Sequence, residues 1–130
     1  MKRTAKLLVT LVCMFTLMVP GVLHARQIQN LTSFKLPAYQ GIARTSFLTK
    51  STTNANWVMN ITALTNATTV HTVLQNSNYE NRSDYAIVGP GRYEIRSTGQ
   101  ANYLYCALLM NGKSTSSVGY VTGSWSPDNK

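Results

Sequence analysis

Tyr103-Leu104-Tyr105-Cys106-Ala107-Leu108-Leu109-Met110 is followed by Asn111-Gly112, the polar run Lys113 to Ser117, and Val118-Gly119-Tyr120-Val121-Thr122-Gly123-Ser124-Trp125. The reading of this stretch decides the fold. Its first part is the most hydrophobic run after residue 25, and its aromatic and branched side chains suit a pleated surface. Asn-Gly is a favoured hairpin dipeptide, and Pro127 stops the second run. With a two-residue turn at Asn111-Gly112, Tyr103 faces Tyr120 and Tyr105 faces Val118. Leu104, Cys106, Leu108 and Met110 then share the other face with Val121 and Trp125, and this register makes that the core face. Lys113 to Ser117 is turn-like too, which leaves a longer loop as the alternative.

Working outward, the same texture of short runs and turn residues continues. Arg92 to Arg96 reads as a short strand after the turn signal Gly89-Pro90-Gly91. Tyr85 to Val88 is another, behind the long polar connection Asn76 to Asp84. Thr69 to Gln75 is rich in β-branched residues. Trp57 to Leu64 alternates, with Trp57, Met59, Ile61 and Ala63 on one face and Val58, Asn60, Thr62 and Leu64 on the other. Ala43 to Lys50 is the first candidate, and no segment carries a helical stripe of useful length. Six to seven short strands over residues 41–130 predict an all-β domain, a small antiparallel β-sandwich, with a small barrel as the runner-up. Residues 26–40 lack clear periodicity, contain Pro37, and read as a leader or loosely attached edge segment.

The other end of the chain places the domain. Lys2, Arg3 and Lys6 precede the apolar run Leu7 to Val19; Pro20-Gly21 breaks it, and Leu23-His24-Ala25 offers a small-residue cleavage site. That is the layout of a signal peptide over residues 1–25, so a secreted, extracellular protein is expected. The run is shorter than the roughly 20 apolar residues that cross a bilayer, which argues against a stable membrane anchor. Only two cysteines occur, and Cys13 lies within the signal, so Cys106 has no partner for a disulfide. Small secreted eukaryotic domains are usually disulfide-rich, which favours a bacterial exporter.

Charge and chemistry narrow the functional classes. After Ala25 the bases Arg26, Lys35, Arg44, Lys50, Arg82, Arg92, Arg96, Lys113 and Lys130 are scattered, without the clustering of a nucleic-acid binder. Diffuse positive charge suits loose attraction to an anionic envelope or simple solubility. His71 is a lone histidine on an expected strand, and no Gly-Xaa-Ser-Xaa-Gly elbow accompanies it. Glu80, Asp84 and Glu94 read as solvated carboxylates rather than a glycosidase pair. Cys106 reads as a buried, inert thiol. Too few Cys and His occur for structural zinc, and acids are too sparse for a calcium loop. No catalytic, cofactor or metal residue is expected.

Binding remains. All seven tyrosines and both tryptophans follow Ala25, and rings with polar tips suit sugar stacking and interfaces. Tyr103, Tyr105 and Tyr120 form the candidate ligand platform, with Trp57 a possible addition; Trp57 and Trp125 read more simply as core. The chain also resembles, from Ala43 to Asn129, a group of small exported β-proteins of Gram-positive bacteria to which no function is assigned. The resemblance rests on the Trp57 strand, the Gly89-Pro90-Gly91-Arg92-Tyr93 break, the long strand ending in Asn111, and Gly119-Tyr120-Val121-Thr122-Gly123-Ser124-Trp125 with its Pro-Asp tail. It allows a bacteriocin-like grouping and implies no functional residue. The expected function is non-enzymatic: surface or partner contact, bacteriocin-like or envelope-associated. The alternative is a carbohydrate-binding module using the Tyr platform, so a cell-envelope component or glycan is the expected partner.

Overall fold

A computed structural model describes residues 25–130. The signal expected over residues 1–25 lies, but for Ala25, outside the described residues. Nine strands are present among them: β1 (Gln29–Leu36), β2 (Ala43–Arg44), β3 (Leu48–Thr49), β4 (Trp57–Thr65), β5 (Val70–Asn76), β6 (Ala86–Val88), β7 (Gly91–Ile95), β8 (Leu104–Asn111) and β9 (Gly119–Ser126). They form two antiparallel sheets, β1-β9-β4-β7 and β2-β8-β5-β6, with β3 also paired to β8. The fold is the small all-β sandwich expected from the sequence.

The pairing of its last two strands is not the expected one. β8 and β9 lie in different sheets. β8 pairs with β5, Val73 opposite Leu108 and Gln75 opposite Cys106, while β9 runs between β1 and β4. Asn111-Gly112 therefore starts a crossing between sheets rather than a hairpin. Gly112 N–H donates to Thr69 O at 2.8 Å, and glycine is needed at this close approach because a Cβ would overlap the Thr69 side chain.

The side-chain parity of β8 is reversed as well. Tyr105, Ala107 and Leu109 enter the core; by alternation Leu104, Cys106, Leu108 and Met110 point to the outer face. Cys106 and Leu108 are nonetheless buried. A central strand covered on both sides loses its apolar–polar alternation, which is why the sequence pattern did not distinguish its faces.

The core lies between the sheets, with Leu31, Met59, Ile61, Leu74, Leu109 and Val121 around two tryptophans. Trp57 and Trp125 meet edge to face at 6.4 Å, an arrangement that suits the ring quadrupoles. Trp125 Nε1 donates to Gln29 Oε1 at 2.8 Å, whereas the buried Trp57 Nε1 has no partner among the described residues.

Residues Gln29–Leu36, read from the sequence as leader or loose edge, form the edge strand β1, and Leu31 and Leu36 are buried in the core. Its register shifts between Leu31 and Phe34, and Ser33 has φ 45°. That bulge interrupts the period of two and hides the strand from a sequence reading. β4 shifts register between Ile61 and Ala63, at the same level of β9. Gly123 lies between the two irregularities, where a Cβ would overlap the Asn60 carbonyl oxygen.

Candidate functional site: a polar groove beside Tyr103

At the end of the second sheet where β5 finishes and β8 begins, a groove of about 340 Å³ opens to solvent. One wall is the turn after β5. The Asn76 side-chain oxygen accepts from the N–H groups of Asn78 (3.0 Å) and Glu80 (2.9 Å), an Asx-type closure that favours asparagine at this position. Arg82 continues this wall, its guanidinium paired with Glu80 at 2.8 Å. The other wall runs through Thr98, Gln100, Tyr103 and Leu104. At the floor the Tyr105 hydroxyl accepts from the Gln100 N–H at 2.7 Å.

The Tyr103 wall is held from behind. Lys50 N donates to Tyr103 O at 3.0 Å, and Asn102 N donates to Lys50 O at 2.8 Å. Lys50 is itself fixed: its side chain and that of Asp128 are both 0% exposed and form an ion pair at 3.3 Å. Lys50 Nζ also donates to Ala55 O and Pro127 O. Asp128 accepts from Ser51 N (2.7 Å), Ser51 Oγ (2.9 Å) and Thr52 N (3.1 Å). Every charged atom of the pair is thus used, the condition under which a buried ion pair is tolerated. Burial pushes the Lys50 amine below its ordinary pKa, and the Asp128 charge and hydrogen bond partly oppose this. The ladder from Asp128 through Lys50 ties the groove wall to the buried ion pair. Sequence reasoning missed this pair; Asp128 was seen only as part of a Pro-Asp tail, and nothing local marks Lys50 as buried.

The three platform tyrosines are not brought together. Tyr103 is 61% exposed at the groove. Tyr105, 3% exposed, has its ring in the core and only its hydroxyl at the groove floor. Tyr120, 38% exposed, belongs to β9 in the other sheet, opposite Lys35 and Thr65. The assumed β8–β9 hairpin had placed them side by side; the crossing between sheets separates them. Trp57 is fully buried. No family model matches this chain, and no curated protein and no solved structure is significantly similar to it.

The groove's chemistry is therefore read from its own atoms. Among the described residues, the side chains of Ser77, Asn78 and Gln100 and the Tyr103 hydroxyl make no hydrogen bond, which leaves their donors and acceptors for a ligand. A second cavity, about 310 Å³, lies at the opposite end of the β5–β8 pair beside Asn66, Asn111 and Lys113. Its polar groups are largely satisfied within the chain: Asn111 Nδ2 donates to Asn66 O, and Asn111 Oδ1 accepts from Lys113 N. The remaining chemistry-bearing residues are dispersed. His71 Nδ1 lies 2.7 Å from the Tyr85 hydroxyl on the outer face. Glu80, Asp84 and Glu94 pair with Arg82, Arg96 and Arg92. Cys106 is buried, and burial raises its thiol pKa against the opposing effects of the Arg44 charge and a backbone hydrogen bond. A thiol raised in this way is a poor nucleophile.

Proposed function

We propose that this chain is an exported, non-enzymatic protein that acts by contact with the cell envelope, and that the groove beside Tyr103 takes a saccharide unit. The observation that carries this reading is the groove's composition. The side chains of Ser77, Asn78 and Gln100, without hydrogen bonds among the described residues, line the groove with the exposed Tyr103 ring, on a wall braced by the buried Lys50–Asp128 pair. Sugars present hydroxyls around an apolar ring face, and this combination of amides with one stacking surface matches that pattern.

Retention of the purified protein on insoluble peptidoglycan and on chitin tests the reading. One stacking contact contributes on the order of 1 kcal/mol, so Tyr103→Ala should weaken retention about fivefold. Gln100→Ala and Asn78→Ala should weaken it further, and Tyr120→Ala, on the other sheet, should leave it unchanged. Equal retention of wild type and Tyr103→Ala, or none by a folded wild type on either polymer, would remove the saccharide assignment.

A further inference from the structure

The two outer faces of the sandwich differ in chemistry. Across the first sheet a row of Asn30, Ser124, Asn60 and Arg92 spans all four strands, with Lys35, Tyr120 and Thr65 in a parallel row. That face is polar. The outer face of the second sheet carries the row Ile87–His71–Met110 and, beside it, Val73–Leu108–Arg44, in which Val73 and Leu108 are themselves covered. Ile87 is 60% and Tyr85 54% exposed, and Tyr85 meets His71 edge to face at 5.6 Å. Towards one end Phe47 stacks on Tyr79 at 6.2 Å, and the Arg44 guanidinium lies 4.2 Å from the centre of the Tyr79 ring.

Charge on this face is one-sided. β2, β3, β5, β6 and β8 contain no Asp or Glu. All four carboxylates of residues 26–130 are in ion pairs, with Lys50, Arg82, Arg92 and Arg96. The whole sequence carries +8; over residues 26–130, the form expected after export, nine bases against four acids leave +5, carried by Arg26, Lys35, Arg44, Lys113 and Lys130, of which Arg44 lies on this face.

We infer that the outer face of the second sheet docks on an anionic lipid surface. Ile87 and Phe47 supply apolar area, Tyr79 and Tyr85 are the aromatic type that settles at headgroup depth, and Arg44, the one base of this face outside an ion pair, meets lipid phosphate while the net positive charge adds long-range attraction. The strands of this face carry no carboxylate, and Glu80 and Asp84, next in sequence to Tyr79 and Tyr85, are held in ion pairs with Arg82 and Arg96. Charge complementarity thus favours an anionic bilayer over a neutral one, and the polar opposite face stays in water. This surface adjoins the groove at Leu104 and at the turn that carries Asn78 and Tyr79, but neither assignment depends on the other.

Co-sedimentation of the purified protein with phosphatidylcholine vesicles, with and without phosphatidylglycerol, tests it. The wild type should partition onto the phosphatidylglycerol vesicles, and added salt should weaken this. Ile87→Asp puts a like charge on an exposed position and should weaken partition about tenfold or more. Arg44→Gln should lose part of the anionic preference. Tyr120→Ala should behave as wild type, and Tyr103→Ala should keep vesicle binding whatever it does to glycan retention. Urea unfolding establishes that each variant is folded. Equal partition onto neutral vesicles, no partition by a folded wild type, or an Ile87-dependent dimer in place of vesicle binding would overturn the inference.

Discussion

At Lys50 an ammonium group sits where water does not reach, and its pKa responds to that. The unfolded chain holds this proton more tightly than the folded one, because burial lowers the folded value below the ordinary 10.5. Stability from this site therefore rises as pH climbs through the folded value towards 10.5. Cys106 acts in the opposite sense: its folded pKa lies above the ordinary 9.0, so its contribution is full below 9.0 and is lost as pH rises through the folded value. In a Cys106→Ala background, the urea midpoint should rise across the alkaline range more steeply than in the same background carrying Lys50→Met. Asp128→Ala strands the buried amine and should cost about 3–5 kcal/mol, read from the same urea curves; Lys50→Met with Asp128→Leu should recover much of that loss. The tryptophans offer a second contrast. Trp125→Phe also abandons the Gln29 acceptor, whereas Trp57→Phe removes an N–H that has no partner among the described residues, so Trp125→Phe should be the costlier by about 1 kcal/mol.

Strands respond through their irregularities. Gly123→Ala would drive a methyl into the Asn60 carbonyl between the two register shifts, and should destabilise by about 1–3 kcal/mol or more, measured by urea unfolding. The same irregularities mark the boundary of what a sequence reading reaches. β4, β5 and β8 were legible to within a residue or so, because Trp57 to Leu64, Thr69 to Gln75 and Tyr103 to Met110 are apolar runs bounded by turn residues. β1 was not, since its bulge breaks the alternation. Partnership was not legible either: Asn111-Gly112 is a local hairpin signal, and the Thr69 contact that overrides it is remote in sequence. Half of the candidate site was therefore visible. Tyr103 stands where a ligand could reach it, but the amides facing it come from the 76–78 turn, which read only as a polar connection.

For the whole molecule, Cys106 serves as an internal reporter. It is covered on the outer face, where Gln75 lies opposite it and bonds Arg44 at 2.9 Å. Thiol labelling in native buffer should be slow and should track global unfolding as urea is added. Rapid labelling of the wild type would mean that this face opens locally. Refolding should be slow for a domain of this size, because both sheets are assembled from strands far apart in sequence. β9 illustrates the point, since it closes the first sheet by entering between β1 and β4. During synthesis from the N-terminus, the partners on both flanks exist long before the strand that joins them. A chain halted before Gly119 leaves β1 with no neighbour and β4 with one open side. Completion of the sandwich thus waits for Gly119–Ser126, and until those residues are free the polypeptide remains threadable.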